Sequence, residues 1–299
     1  MTTILVTGGT GLIGKHLCIL LKEKGYNVSV LSRNKSNKSN YFYWNLETDY
    51  IETKAITESD YIIHLAGAGI ADKRWTKKRK IALIDSRVKS TNLLFRKVKE
   101  LNPTLKAFIG ASGIGYYGAT TSTKIYNEND SPGTDFLSEV CKHWENASNQ
   151  FNSLNIRTVL FRTGVVFSKK GGALEKMSKP IKFGMGAAIG SGKQFTPWIH
   201  IEDICNMYIE AIENDKLKGI YNAVAPDHIT NKELTFAIAK KLNKFLWLPN
   251  IPSLILKFLL GNMAIMLLNG SKISSKKIES IGFKFKYLSL NSALDNLLK

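Results

Sequence analysis

Residues 4–14 read Ile4-Leu5-Val6-Thr7-Gly8-Gly9-Thr10-Gly11-Leu12-Ile13-Gly14. An apolar run ends in a glycine-rich turn. The turn opens into a helical pattern in which Leu12, Leu17, Leu20 and Leu21 form a stripe that stops at Gly25. Run, turn and stripe predict the first strand–helix crossover of a parallel sheet. In that setting Gly8 permits a tight turn, Gly11 lets main-chain N–H groups approach a pyrophosphate, and Gly14 lets the helix lie close on the strand. Unpaired N–H groups and the helix dipole then favour an anion at the helix start. A glycine-rich turn that binds nothing is the plain alternative. Four glycines in seven residues, set between a strand and a helix, weigh against it.

The second strand, Val28–Leu31, bears on the choice of cofactor. A site for NAD usually places Asp or Glu about 20 residues past the glycines, to bond the ribose hydroxyls. Here the strand ends in Ser32-Arg33-Asn34, with no carboxylate. The planar fork of Arg33 can pair with a 2′-phosphate, so we expect NADP(H); an ordinary surface arginine is the alternative.

Strand and helix patterns continue to alternate. Tyr41–Trp44, Asp60–Gly67, Leu105–Ser112 and Ile156–Arg162 read as strands, and Arg74–Leu101 and Phe136–Leu154 read as helices. We therefore expect an α/β fold with a Rossmann-type doubly wound parallel sheet. Ligands of such sheets bind at the carboxyl ends of the strands. The glycine turn, Ser32-Arg33, Ala66-Gly67, Ser112-Gly113 and Gly164–Val166 all fall at such ends. His64, inside an apolar run, reads as a packed core histidine.

Beyond residue 167 glycines multiply around a short helix, Leu174–Phe183. A helix follows from about Glu202 to Asn214, then a strand, Gly219–Ala223. Thr230, with Glu233 three residues on, predicts a capping box for a helix ending at Leu242. The tail reads as a Phe245–Leu248 strand, a partly buried helix near Ser253–Leu268 and a last helix, Leu290–Leu298. We expect residues 1–165 with about 196–225 to form the NADP-binding Rossmann domain. Residues 166–195 with 226–299 should form a smaller α+β substrate lobe.

The chain has 299 residues, 44% of them hydrophobic, and a net charge of +18 carried mostly by lysine. Clusters at Lys35–Lys38 and Lys73–Lys80 read as solvated faces that steer an anionic cofactor. Binding to nucleic acid is the alternative, but no nucleic-acid motif accompanies the charge. Cys18, Cys141 and Cys205 are scattered, which fits a reducing compartment and gives neither a disulfide nor a metal pattern. The first strand starts at Thr2, so we expect no leader and a cytoplasmic protein. Phe245–Leu268 is interrupted by Pro249, Asn250, Pro252, Lys257 and Asn262 and falls short of the ~20-residue apolar span of a crossing helix. No membrane partner is expected; a helix lying on a membrane surface is the alternative.

With Val6–Gly14, Ser32-Arg33, His64–Gly67, Ser86-Arg87, Ala111–Gly118, Phe136–Glu145, Gly190–Asp203, Tyr221–Pro226 and Lys272–Phe285 in hand, the chain resembles an extended short-chain dehydrogenase/reductase. It is most similar to the atypical epimerase-family branch, described as nucleoside-diphosphate-sugar epimerases or NADP-dependent oxidoreductases. The resemblance implies that Gly8, Gly9, Thr10, Gly11, Leu12 and Ile13 hold the pyrophosphate and that Ser32 and Arg33 take the 2′-phosphate. It sets Leu65 and Ala66 beside the adenosine and ribose, with Arg87 and the backbone near Val166 completing the site; the small Ala66 and Gly67 would let the flat dinucleotide lie against the backbone. Gln194, Phe195 and Trp198 should face the substrate.

The superfamily's chemistry needs a Tyr-x-x-x-Lys pair and a Ser or Thr, in which the tyrosine transfers the proton. At that spacing this chain has Ser138 and Lys142, with no tyrosine, and the usual Ser or Thr position falls on Gly113. Proton transfer would then fall to Tyr116, Tyr117, Ser112 or His200. Each has a structural alternative: pocket wall for the tyrosines, turn residue for Ser112, helix start for His200. We expect an NADP(H)-dependent oxidoreductase or epimerase-like enzyme on a small polar substrate. The alternatives are a catalytically degenerate NADP(H)-binding regulator and a basic accessory protein. The sequence leaves the oligomeric state open.

Overall fold

The structure, a computed structural model, describes residues 1–298. In chain order its strands are β1 (Thr3–Thr7), β2 (Asn27–Ser32), β3 (Tyr41–Asn45), β4 (Tyr50–Ile51), β5 (Tyr61–His64), β6 (Ala107–Gly113), β7 (Ile125–Tyr126), β8 (Arg157–Thr163), β9 (Val165–Ser168), β10 (Gly171–Gly172), β11 (Trp198–His200), β12 (Gly219–Ala223) and β13 (Lys272–Ile273). The helices are α1 (Leu12–Glu23), α2 (Thr53–Thr57), α3 (Lys77–Leu101), α4 (Phe136–Asn149), α5 (Ala173–Lys182), α6 (Ile201–Glu213), α7 (Asn231–Lys241), α8 (Ser253–Leu260), α9 (Ile265–Leu268), α10 (Lys276–Ser280) and α11 (Leu290–Leu297).

The main sheet runs β12-β8-β6-β5-β1-β2-β3-β4. Every pairing is parallel except the β3–β4 edge. This is the doubly wound α/β architecture expected. From β1 the chain first adds β2 and β3 on one side, then crosses to add β5, β6, β8 and β12 on the other. The order reverses between β1 and β5, which is where the ligand crevice of such a sheet opens.

Because strand side chains alternate, the apolar run of β1 feeds two cores. Ile4 and Val6 pack with Leu17 and Leu21 of α1 and Ile204, Met207 and Tyr208 of α6. Leu5 faces the other way, toward Leu93, Leu94 and Val98 of α3 and toward Phe108 and Phe151. A third core, with Phe167, Trp198, Leu234, Ile238 and Leu294, holds β9, β11, α7 and α11 together. There β10-β9-β11 form a small sheet, and β13 pairs with β7.

The capping box at Thr230 and Glu233 is present. Three elements differ from expectation. Phe245–Leu248 forms no strand: Phe245 and Trp247 are exposed, and no neighbouring strand offers main-chain partners. The tail helix breaks at Gly261, where φ is +60°, into α8, a 3₁₀ turn and α9. The expected Phe136–Leu154 helix gives way to 3₁₀ after Asn149, and Asn155 in left-handed geometry turns the chain into β8.

Candidate functional site

The crevice between β1 and β5 is shaped by glycine. Gly8 has φ +69°, and a Cβ there would sit 2.9 Å from the Leu65 carbonyl carbon. A Cβ on Gly14 would collide with the Gly8 carbonyl oxygen and lie 2.7 Å from Gly9 Cα, so only glycine brings α1 this close to the turn. Gly11 caps α1, whose first turn has no acidic residue, so its leading N–H groups face the crevice without a carboxylate on them. Across the crevice, Ala66 N–H donates to Thr7 Oγ1 at 3.2 Å and fixes the Leu65-Ala66-Gly67 rim. The β9–β10 turn closes the near side: a Cβ on Gly172 would meet Leu12 Cδ2 at 2.9 Å, which sets Val166 beside the glycine turn. Ser32 and the exposed Arg33 stand at the end of β2, and the Ser32 hydroxyl accepts from Asn34 N–H.

Arg87 reaches the same rim from α3. It is buried, stacked over Trp144 at 4.8 Å, and close enough to Gly67 that a Cβ there would lie 3.2 Å from its Cζ. One guanidinium nitrogen donates to Leu83 O at 2.9 Å, while the buried Nε has no partner among the described residues. Burial lowers its pKa. An unpartnered buried donor beside a glycine rim suits an anionic or hydroxyl-rich ligand.

Next to this crevice, at the ends of β6, β8 and β12, lies a closed polar chain. Arg162 donates from Nε and Nη2 to the two Glu145 oxygens, both at 2.8 Å, and Ser112 Oγ donates to Oε1 at 2.7 Å. Arg162 Nη1 donates to the Tyr117 hydroxyl at 3.0 Å, which donates to Asn222 Oδ1 at 2.6 Å. Asn222 N–H donates to Glu128 at 2.8 Å. Arg162 is 1% exposed and Glu145 4%, so the pair is fully enclosed. Burial works against the Arg162 charge, but the bonded carboxylate outweighs it and raises its pKa. Burial pushes the Tyr117 phenol up to about 12 despite the adjoining guanidinium. The Tyr116 ring lies under Arg162, 3.3 Å from its Cζ, and stays half-buried.

Of the four proton-transfer candidates, the structure brings Ser112, Tyr116 and Tyr117 together and sets His200 apart. His200 is fully buried; its Nδ1 accepts from Glu202 N–H at 3.1 Å, capping α6, and its ring stacks on Tyr287 at 3.7 Å. Burial takes its pKa down to about 4. This geometry is that of the helix start, the structural alternative to an acid or base. Ser112 and Tyr117 are likewise spent on Glu145 and on Arg162 with Asn222. His64 is a core residue as expected, between Thr7 Oγ1 at 2.7 Å and Ser90 Oγ at 3.2 Å, and burial lowers its pKa to about 3.

Of the residues expected to face the substrate, the structure buries Trp198 and Gln194 and leaves Phe195 half-buried. Trp198 is wholly buried and stacks on Phe167 in the third core. Gln194 is buried too, its amide donating to the carbonyls of Ile189 and Leu267 at 2.9 and 2.8 Å, where it ties the Ile189 loop to α9. Phe195 is half-buried under Lys272 Nζ, 4.9 Å from its ring centre. Apolar bulk and loop-closing bonds, rather than a ligand, account for the first two. The helix positions of the usual Tyr–Lys pair are equally uninvolved. Ser138 Oγ donates to the carbonyls of Tyr116 and Gly133, and Lys142 points to solvent.

Glu145, Arg162, Asn222 and Glu128 escape the sequence reading. The available signals were an arginine closing the apolar run of β8 and a glutamate on the apolar face of α4.

Sheet order, glycine turn and crevice define a dinucleotide-binding protein of the Rossmann type. The NAD dependent epimerase/dehydratase family matches residues 4–223, and a domain of unknown function, DUF1731, matches residues 251–297. An epimerase family protein of Staphylococcus aureus is 34% identical over 306 residues spanning the whole of both chains, and one of Staphylococcus epidermidis is 34% identical over 308. The crystal structure of human epimerase family protein SDR39U1 (isoform 2) with NADPH superposes with TM-score 0.90 at 31% identity, covering 99% of each chain. A nucleoside-diphosphate sugar epimerase of Corynebacterium glutamicum gives TM-score 0.82 at 27% identity, covering 99% of this chain and 58% of that one. The chain belongs to the NAD dependent epimerase/dehydratase family.

Proposed function

We propose that this chain binds NADP(H) along the carboxyl edge of the main sheet. In this reading it acts as an oxidoreductase or epimerase-like enzyme on a small polar substrate, nucleotide sugars included. One observation carries the reading: a turn in which Cβ atoms have no room at Gly8 and Gly14, opening onto a helix start with no acid of its own. A carboxylate-free tip at Ser32-Arg33 supports the phosphorylated cofactor, and so does the human relative crystallised with NADPH. Bound NADP(H) supplies or accepts the hydride. The leading amides of α1 hold the diphosphate, Ser32 and Arg33 bind the 2′-phosphate, and Arg87 places a buried cation at the Gly67 rim. Tyr116, half-open at the end of β6, gives its hydroxyl proton to the substrate oxygen as the carbonyl is reduced.

Titration calorimetry with NADPH, NADP⁺ and NADH tests the cofactor. Tighter binding of the phosphorylated forms is expected. No heat from any of them, in protein freed of retained ligand, sinks the reading.

A second reading has its own observation. Ser138 is spent on carbonyls, Lys142 faces solvent, and Ser112 and Tyr117 are locked in the buried chain. On that basis the protein holds NADP(H) without turnover and reports redox state to a partner. NADPH consumption with a carbonyl substrate, slowed in Tyr116→Phe, decides for the enzyme.

A further inference from the structure

The tail carries a feature that cofactor binding does not use. From Leu234 to Ile278 the chain has seven lysines and no acidic residue. Within that stretch α8 has only Leu256 buried. Leu254, Ile255, Phe258 and Leu259 are all exposed, Phe258 by 81%. Their spacing, i, i+1, i+4 and i+5, puts them on one helical face, with Lys257 at its flank.

Further exposed apolar side chains precede α8 in the chain. Phe245 and Trp247 are exposed by 82% and 67%, and Trp247 Nε1–H donates to Gly184 O at 2.9 Å. That bond sets the segment beside the exposed Phe183 and Met185. Ile251 N–H to Ala188 O, and Gly190 N–H to Ile251 O, hold the same two loops together ahead of α8. Two joined segments thus carry exposed leucine, phenylalanine and tryptophan side chains, termed the apolar apron. Lys179, Lys182, Lys244 and Lys257 lie in the same segments, and among the described residues none forms an ion pair.

We infer that this apron is a docking surface for an anionic lipid bilayer. A polar-flanked apolar helix face with aromatic residues and snorkelling lysines is what lies in a headgroup interface. Lysines without partners gain from a negative leaflet. A second copy of the chain fits poorly, because a twofold contact would bring two faces together that both carry lysines and, from Leu234 to Ile278, no acidic residue to pair with them. The attachment is peripheral: no helix among the described residues is long and apolar enough to cross a membrane. The inference is independent of what the crevice does.

Vesicle flotation tests it, with the whole protein and two preparations: pure phosphatidylcholine, and phosphatidylcholine mixed with phosphatidylglycerol. Binding to the anionic vesicles is expected to exceed that to neutral ones by about tenfold or more. Each of Lys244→Gln and Lys257→Gln, which removes one positive charge, should weaken it roughly fivefold. The double variant Leu254→Ser/Phe258→Ser should abolish it while melting like the parent, because those side chains touch little of the core. The inference is overturned if folded protein ignores anionic vesicles, if both vesicle types bind it equally, or if the apolar double variant still floats. A dimer seen by light scattering and dispersed by Phe258→Ser overturns it in favour of self-association.

Discussion

Glu145→Gln probes the enclosed polar chain. Glu145 accepts three hydrogen bonds, two from Arg162 at 2.8 Å and one from Ser112 at 2.7 Å, with both ion-pair partners under 5% exposed. Glutamine keeps the shape but removes the charge and turns an NH₂ group toward a guanidinium N–H. Arg162 is then left as a buried cation without a counter-charge. Breaking such a pair from one side costs about 3–5 kcal/mol. Unfolding entropy of about 2.1 cal/mol/K per residue comes to roughly 0.6 kcal/mol/K for 299 residues, so the melting temperature should fall by about 5–8 °C. Thermal unfolding followed by near-ultraviolet circular dichroism measures it. The companion double variant Glu145→Met/Arg162→Met replaces both charges with apolar bulk and should recover most of the loss. A Glu145→Gln melt within about 1 °C of the parent, or a double variant worse than the single, refutes the account of the pair as an enclosed charge couple.

Arg33→Asp should shift preference from NADPH toward NADH, because a carboxylate repels the 2′-phosphate and accepts ribose hydroxyl bonds; unchanged relative affinity by calorimetry would remove Arg33 from the site. Gly14→Ala should weaken NADPH binding more than tenfold while the protein still folds, since the new Cβ meets only turn backbone at Gly8 and Gly9 and must push α1 off the turn; cofactor affinity equal to the parent's would count against the cradle. Burial holds His64 and His200 down at about 3 and about 4, so the native state leaves both neutral where the unfolded chain, titrating near 6.5, takes up protons. Stability should therefore be full above pH 6.5 and fall as pH drops toward 4, by up to about 1.4 kcal/mol per unit for each histidine. His200→Asn keeps a capping side chain and removes one of the two groups, so urea titrations across that window should show a shallower decline.

The sheet was legible because its signals are local. Ile4–Val6, Val30-Leu31 and Val159–Phe161 are apolar runs that only a strand covered on both faces can bury; the first two stop at Thr7-Gly8 and Ser32, the third at Arg162. The crevice was legible for the same reason: Gly8 to Gly14 carry their geometry in eleven consecutive residues of sequence, counted from Ile4. Phe245–Leu248 misled because alternating aromatic and aliphatic residues imply a strand only if a neighbour is there to pair with it, and among the described residues none pairs with it. Trp198 and Gln194 misled because a motif next to a ligand-bearing edge says nothing about which way its side chains turn. Here Trp198 turns to Phe167 and Gln194 to the carbonyls of Ile189 and, in α9, Leu267. Glu145, Arg162 and Asn222 are far apart in the chain, and one sequence gives no measure of their proximity.

That enclosed chain has a consequence for the site as well as for stability. Its members come from β6, the helix α4, β8 and β12, so it ties together the strand ends on one side of the crevice. Arg162 is its centre: it grips Glu145, holds the Tyr117 hydroxyl and lies on the Tyr116 ring. The only proton-transfer candidate left half-open is therefore positioned by a group whose own place depends on Glu145. If Tyr116 moves the proton, Glu145→Gln should slow turnover at temperatures well below its melt while leaving NADPH affinity near the parent's, because the glycine cradle and Arg33 lie on the far side of β5. Equal losses in cofactor binding and turnover would instead mean that the polar chain supports the whole edge and gives Tyr116 no separate orientation.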